Sequence, residues 1–300
     1  MKKTFFVIVV FAVLLGCYAC SEEQGNCQEN SLHEQQAAYD NLYAEITLLN
    51  EQFGVGETAV ARSGVRRRFW KIFGADLLGG VLGCRLHPIA GFFLGVNASI
   101  IAAADTRVES DGLMLWTPSR AASYVSSTTT DSTLGMLDSL GYYHNQVICD
   151  LYDQHGEQLF SYDEAIREDL IMQAIRGYVN DSFFAHPPLA VTVKQDVTQL
   201  VNAMEADNID AIFAAAIALT PDIENELRVV KNYCETLQYF ESDEALIQYS
   251  IAHDNLIRAS DLDADAQALI LAGSSIGGNS AGMWDKGDGS WEDLDAGLLP

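Results

Sequence analysis

The sequence has few basic residues for its length. Lysine and arginine together number 17 in 300 residues, against 42 aspartates and glutamates, so the formal net charge is −25. A surface this acidic repels the phosphates of nucleic acids, which excludes nucleic-acid binding. The same charge keeps a protein soluble, which argues against an integral membrane protein.

The sequence also lacks a complete catalytic or metal-binding motif. Gly273–Gly277 fits the pattern G-x-S-x-G, but a nucleophile elbow needs a histidine further along the chain, and the last histidine is His253. We therefore expect the stretch to be a helix end. The stretch 285–289 suggests a calcium loop, but Trp284 and Lys286 occupy positions where carboxylates belong. We predict that the protein is not an enzyme and holds no cofactor and no metal.

Two short polar groups could still line a site. They are His144 with Asn145 and Asp150, and His253 with Asp254 and Tyr249. In these groups the histidine and its carboxylate are six or one residues apart, which does not place metal ligands on one helical face, since that requires separations of three or four residues. We interpret both groups as structural, with the histidines hydrogen-bonded at helix ends.

Strand-like alternation of polar and apolar residues is absent as well. Apolar residues instead recur at helical spacing along most of the chain, from Ala38, Leu42 and Ile46 near the start to a stripe from Ile223 to Phe240. The predicted fold class is all-α. We expect a multi-helix bundle with an apolar, glycine-rich helical hairpin near the N-terminus.

That hairpin lies in the stretch from Phe69 to Ala104. Its two apolar runs, Ile72–Cys84 and Ile89–Ala104, are each shorter than the ~20 residues that span a bilayer. Pro88 suits the start of a second helix, which predicts a turn near 85–87. A glycine strip on each helix allows close backbone packing, or contact with a partner: Gly79, Gly83, Gly91 and Gly95. The hairpin is either buried in the bundle or meets lipid or a partner.

A basic collar precedes the hairpin. It consists of Arg62, Arg66, Arg67, Arg68 and Lys71. Such a cluster beside an apolar segment suits anionic lipid or an acidic partner. The alternative, which we favour, is that it pairs with carboxylates of this chain.

The first residues are typical of a secretory signal. Lys2 and Lys3 precede an apolar run, and Leu14-Leu15-Gly16-Cys17 looks like a bacterial lipobox. We predict a lipoprotein signal peptide over 1–16, with the lipid on Cys17. Cys20 is the rival, since acidic residues follow it as in export signals of surface lipoproteins. The predicted location is the bacterial cell envelope, anchored to a membrane by the lipid, most simply the outer membrane.

We expect three further segments after the signal peptide. They are a tether over 17–30, a helical domain over 31–284 with a possible sub-boundary at 105–133, and a disordered acidic tail over 285–300. Cys84, Cys149 and Cys234 lie among apolar residues, and we expect them to be buried free thiols.

Three segments carry a resemblance to a family. They are Gly74-Ala75-Asp76, Leu140–Asn145 and Met283-Trp284. Together they look like a group of uncharacterised, glycine-zipper-containing exported lipoproteins of Bacteroidetes-type bacteria. The resemblance implies export, but no activity and no site residues.

The sequence therefore predicts an envelope-anchored helical lipoprotein that binds an unknown protein partner. The alternative is a membrane-active helical-hairpin protein, in which segment 72–104 is sheathed by the acidic bundle until it inserts into lipid.

Overall fold

The computed structural model describes residues 33–55, 66–85, 88–109, 116–118, 139–179, 209–240 and 242–286. The helices in these ranges are α1 (33–52), α2 (Arg66–Cys84), α3 (Pro88–Glu109), α4 (Leu140–His155), α5 (Glu164–Arg176), α6 (Ile209–Leu219), α7 (Glu224–Leu237), α8 (Asp243–Ala259) and α9 (Ala264–Met283). Short 3₁₀ turns, Gly156–Ser161 and Pro221–Ile223, follow α4 and precede α7. The predicted all-α, multi-helix fold is confirmed.

Helix α1 packs along the C-terminal half of the chain. Its buried residues repeat every three or four positions, as predicted: Ala38, Tyr39, Leu42, Ile46 and Leu49. The Tyr39 hydroxyl donates to Glu226 at 2.7 Å, and Gln35 donates to Asp263 at 2.9 Å. Near the other end of α1, the Asn50 side chain accepts from Tyr249 at 2.7 Å. Helix α1 therefore runs alongside α7 and closes one side of the bundle.

Helices α2 and α3 form the predicted hairpin. Helix α2 ends at Cys84 and α3 begins at Pro88, as the fixed φ of proline favours. Most of the described apolar side chains of both helices are buried, from Leu77 at 0% exposure to Ile89 at 9%. Arg85, at the turn, pairs with Asp222 just before α7. The hairpin is thus part of the core of the bundle.

Helix α9 is the central element, since it packs against α2, α4, α7 and α8. Residues 270–280 are all buried. The expectation that Gly273–Gly277 is a helix end is wrong, because α9 continues to Met283. Glycine in a helix interior costs about 1 kcal/mol relative to alanine. Here close packing offsets that cost: a Cβ atom on Gly273 would lie 2.8 Å from Val230 and 2.9 Å from Val81.

One short strand pair stands beside the helices. Strand β1 (Trp116–Pro118) is antiparallel to β2 (Trp284–Lys286), with Trp116 opposite Lys286. The predicted tail begins at residue 285, but Asp285 and Lys286 belong to β2. Residues 287–300 lie outside the described ranges. The pairing joins the end of α9 to the segment after α3.

Several predictions fall on residues that are not described. The signal, the tether, both candidate lipid cysteines and Arg62 lie there, as do the side chains of the other collar residues. Of the possible sub-boundary, 105–109 belong to α3 and 116–118 to β1. Cys84 and Cys234 are free thiols, as predicted; Cys149 and Cys234 are buried, as predicted, whereas Cys84 at the end of α2 is partly exposed. In the described ranges no helix combines the length and the apolar character needed for a membrane span.

Candidate functional site: a buried polar cluster

Polar side chains meet at the centre of the bundle. Helices α2, α4 and α9 contribute six residues, each 0% exposed, which we call the buried polar cluster: Asp76, His144, Asn145, Ser275, Asn279 and Ser280. Polar groups without water must find partners inside the protein, since an unsatisfied one costs about 1–3 kcal/mol. The partners of this cluster therefore fix how the helices pack.

The first turn of α4 lies directly on α9. The backbone N–H of Gly141 donates to Ser275 Oγ at 3.0 Å. A Cβ atom on Gly141 would overlap the carbonyl oxygen of Ser275 and lie 2.8 Å from the backbone nitrogen of Ile276. Only glycine permits this approach. It brings His144 and Asn145, three and four residues further along, onto the inner face of α4.

Asn145 fixes the protonation pattern of His144. Its Nδ2 donates to the carbonyl oxygen of Asn279 at 2.9 Å, and a carbonyl can only accept. Asn145 Oδ1 is therefore the atom that lies 3.1 Å from His144 Nδ1, and Nδ1 must carry a hydrogen to donate to it. In neutral His144 the unprotonated nitrogen is thus Nε2.

Asp76 connects α2 to both neighbours. Its Oδ2 accepts a hydrogen bond from the hydroxyl of Ser280 on α9. Its Oδ1 lies 4.0 Å from His144 Nε2 on α4. That separation is longer than a hydrogen bond, which spans about 2.7–3.2 Å for these atoms. His144 Nε2 has no hydrogen-bond partner among the described residues.

Burial dominates the charge state of His144. It lowers the pKa of the imidazole from 6.5 to about 4, although the hydrogen bond to Asn145 and the nearby backbone of Gly95 act in the opposite direction. A charged ring in the apolar interior would lose its hydration. His144 is therefore neutral at neutral pH, with its lone pair on the side of Asp76.

The second predicted group lies on a different face of α9. His253 Nδ1 is 3.4 Å from Ser274 Oγ and 3.9 Å from Asp254 Oδ1. The ring of Tyr233 packs against His253, with centroids 4.5 Å apart. Tyr249 directs its hydroxyl to Asn50 rather than to His253. These residues are buried, and their contacts are those of a packed aromatic and polar core, as the structural interpretation predicted.

The sequence grouped some of these residues incorrectly. Asp150 is not in the buried polar cluster, because it accepts from Tyr178 on the segment after α5. His144 and His253 lie inside α4 and α8, not at helix ends as expected. Asp76 was not proposed as a site residue. The available signal was a carboxylate inside an apolar run, within a segment that carries the family resemblance.

The four glycines of the hairpin lie where α2 and α3 touch. A Cβ atom on Gly83 would be 2.5 Å from the Cα of Gly91, and one on Gly79 would be 2.6 Å from the carbonyl oxygen of Leu94. A Cβ atom on Gly95 would lie 3.3 Å from the carbonyl oxygen of Asp76 and 3.4 Å from the ring of His144. The glycines therefore contact helices of this chain, and Gly95 brings the hairpin against the buried polar cluster.

The cluster has the groups for proton uptake but not for nucleophilic catalysis. Ser275 lies inside a continuous helix and accepts from Gly141, so it does not occupy a strand-to-helix elbow. No three His, Cys, Asp or Glu side chains of the described residues are grouped so that they could hold a metal ion. The titratable pair Asp76 and His144 is the chemically distinctive part of the cluster. In the comparisons with known proteins, no family model, no curated protein and no solved structure matches this chain.

Proposed function

We propose that the protein is a lipid-anchored helical protein of a bacterial envelope that acts by binding a partner protein through its outer surface. The observation that supports this is the burial of the hairpin. The side chains that would have to meet lipid, among them Leu78, Val81 and Leu94, are at most 1% exposed. The acidic residues of α1, Glu164 and Asp169 of α5, and Asp243 and Glu244 of α8 are exposed, so a soluble partner can reach them.

Attachment of the lipid tests the location. Cys17→Ser removes the thiol that receives the diacylglyceryl group, so we expect the precursor to stay uncleaved and to incorporate no labelled fatty acid. Cys20→Ser is the matched control and should be processed normally. The readouts are the electrophoretic shift and the label in the envelope fraction. If Cys20→Ser alone blocks processing, the lipid is on Cys20; if neither does, the chain is not a lipoprotein.

Binding is tested in native membranes. The tagged wild-type chain is crosslinked before solubilisation, and captured proteins are identified by mass spectrometry. A partner that binds the outer surface should be recovered with the wild-type chain. It should be lost when exposed acidic residues of α5, such as Glu164 and Asp169, are replaced by their amides, or when exposed acidic residues of α1 are replaced in the same way. Failure of every such surface variant to change the captured set would contradict the proposal.

The membrane-active alternative makes a different prediction. If the hairpin is only core, anionic vesicles loaded with dye should stay intact with the full chain at pH 7 and at pH 5, because the apolar side chains remain inside the bundle. Leakage at pH 5 that disappears on deletion of 72–104, in a variant that still folds, would replace binding by insertion as the function. A pore-forming peptide serves as the positive control.

A further inference from the structure

The buried polar cluster is the place where the hairpin is joined to the rest of the bundle. Asp76 belongs to α2, Gly95 to α3, His144 to α4 and Ser280 to α9. Each of these residues touches at least one of the others across a helix boundary. A change in the position or charge of one residue of this cluster therefore alters contacts among four helices.

His144 Nε2 is the atom at which a proton would be added. Nδ1 already carries a hydrogen, because Asn145 is oriented by the carbonyl of Asn279. The added proton would point toward Asp76 Oδ1 across 4.0 Å, too far for a hydrogen bond. The new charge is out of reach of bulk solvent, since the side chain is 0% exposed. The packed arrangement thus does not accommodate the imidazolium.

The charged groups around His144 are few. On α2 the charged group is Asp76. On α3 the nearest described titratable residue is Asp105, ten positions from Gly95. On α9 the only titratable residue is Asp265, at the end of the helix opposite to Ser280. The β1 strand has none, and on α5 Arg167 donates to Asn97 Oδ1 and to the backbone carbonyl of Tyr162. Tyr142, Tyr143 and Asp150 on α4 itself do not lie within hydrogen-bond distance of the ring. Among the charged groups of the described residues, Asp76 is therefore the one that could pair with the imidazolium.

We propose that uptake of a proton at His144 Nε2 opens the contact of α4 and α9 with the hairpin while α1 stays packed. Mild acid then exposes the inner face of the hairpin locally. This device is independent of the lipid anchor and of the partner. The opened form stays a minor species at pH 5, so it does not by itself imply insertion into vesicles.

The experiment is hydrogen exchange of the full chain, followed by mass spectrometry at pH 7 and pH 5 and corrected for the pH dependence of intrinsic exchange. If His144 titrates near 6.5 when open and near 4 when closed, the opening constant rises roughly 20-fold between these pH values. We expect peptides covering 74–83 and 140–149 to show that rise while exchanging through a smaller opening free energy than 38–49 of α1, whose amides exchange only on global unfolding. His144→Gln should abolish it, whereas His155→Gln on the same helix should leave it unchanged.

Two results would overturn the proposal. One is exchange of 74–83 and 140–149 only at the opening free energy of α1, which would mean global unfolding without local opening, and the other is an undiminished rise in His144→Gln. If that variant does not fold, the titration of the His144 ring, followed by NMR in the wild-type chain, tests the proposal instead. Titration of its Cε1 proton near pH 4, coupled to shifts in α2, supports the switch, and titration at 6.5 or above rules it out.

Discussion

Gly141→Ala and Gly83→Ala should each destabilise the fold by about 3 kcal/mol. A methyl group on Gly141 would overlap the carbonyl oxygen of Ser275, and one on Gly83 would lie 2.5 Å from the Cα of Gly91. Both obstacles are backbone atoms, so no side-chain rotation relieves the overlap, and the helices must separate. The gain of about 1 kcal/mol from replacing glycine by alanine in a helix only partly offsets this. Urea unfolding measures the difference, and the melting temperature should fall by roughly 6–12 °C.

The matched control is Gly177→Ala. Gly177 follows α5 with φ −70°, and the nearest atom to its added Cβ is the carbonyl oxygen of Ala174, at 3.2 Å. We expect a change below about 1 kcal/mol, as for most surface substitutions. If Gly83→Ala proved as mild as this control, α2 and α3 would not be packed backbone against backbone.

The free energy of unfolding should fall by about 3 kcal/mol between pH 6.5 and pH 4 because of His144 alone. Burial lowers the pKa of His144 from 6.5 to about 4 in the folded protein. The unfolded chain therefore binds the proton first as pH falls, and the folded state is disfavoured progressively. The loss begins near pH 6.5 and is complete below about pH 4. Above pH 6.5 this residue makes no pH-dependent contribution.

Urea unfolding at several pH values separates this contribution from those of the many carboxylates. His144→Gln cannot take up the proton, so its stability should depend on pH less steeply than that of the wild type over this window. The slopes are compared, not the absolute stabilities, since glutamine also changes packing. His155→Gln should keep the wild-type slope. Identical slopes for the wild type and His144→Gln would mean that His144 is not buried as a neutral ring.

The sequence predicted the helices better than it predicted the buried polar cluster that joins them. The hairpin turn follows from Pro88, and the buried stripe of α1 follows from spacing, because both are local properties. The extent of α9 could not be predicted from its glycines. Local propensity ends the helix near Gly277, whereas contact with α2 and α7 continues it to Met283. Tertiary packing supplies the stabilisation that propensity lacks.

The buried polar cluster depends on residues that are far apart in the chain. Asp76 and Ser280 are separated by 204 positions, and no pattern within either segment indicates that they meet. The histidine and asparagine of α4 were recognised as a polar pair, but their assignment to a helix end was wrong. The resemblance drew attention to the segments around Asp76, His144 and Met283. Two of these carry cluster residues, and the third ends the helix that supplies the other three.

The central position of α9 has a consequence for the order of folding. The last helix of the described chain fills the middle, and α1, the first, is held by residues as distant as Asp263, 228 positions away. Contacts this remote in sequence slow folding, since a long loop must close before they form. During synthesis from the N-terminus, α1 and the hairpin emerge long before the helices that cover them. Their apolar surfaces therefore stay uncovered until almost the whole chain has been made, and the protein folds as one unit rather than piece by piece.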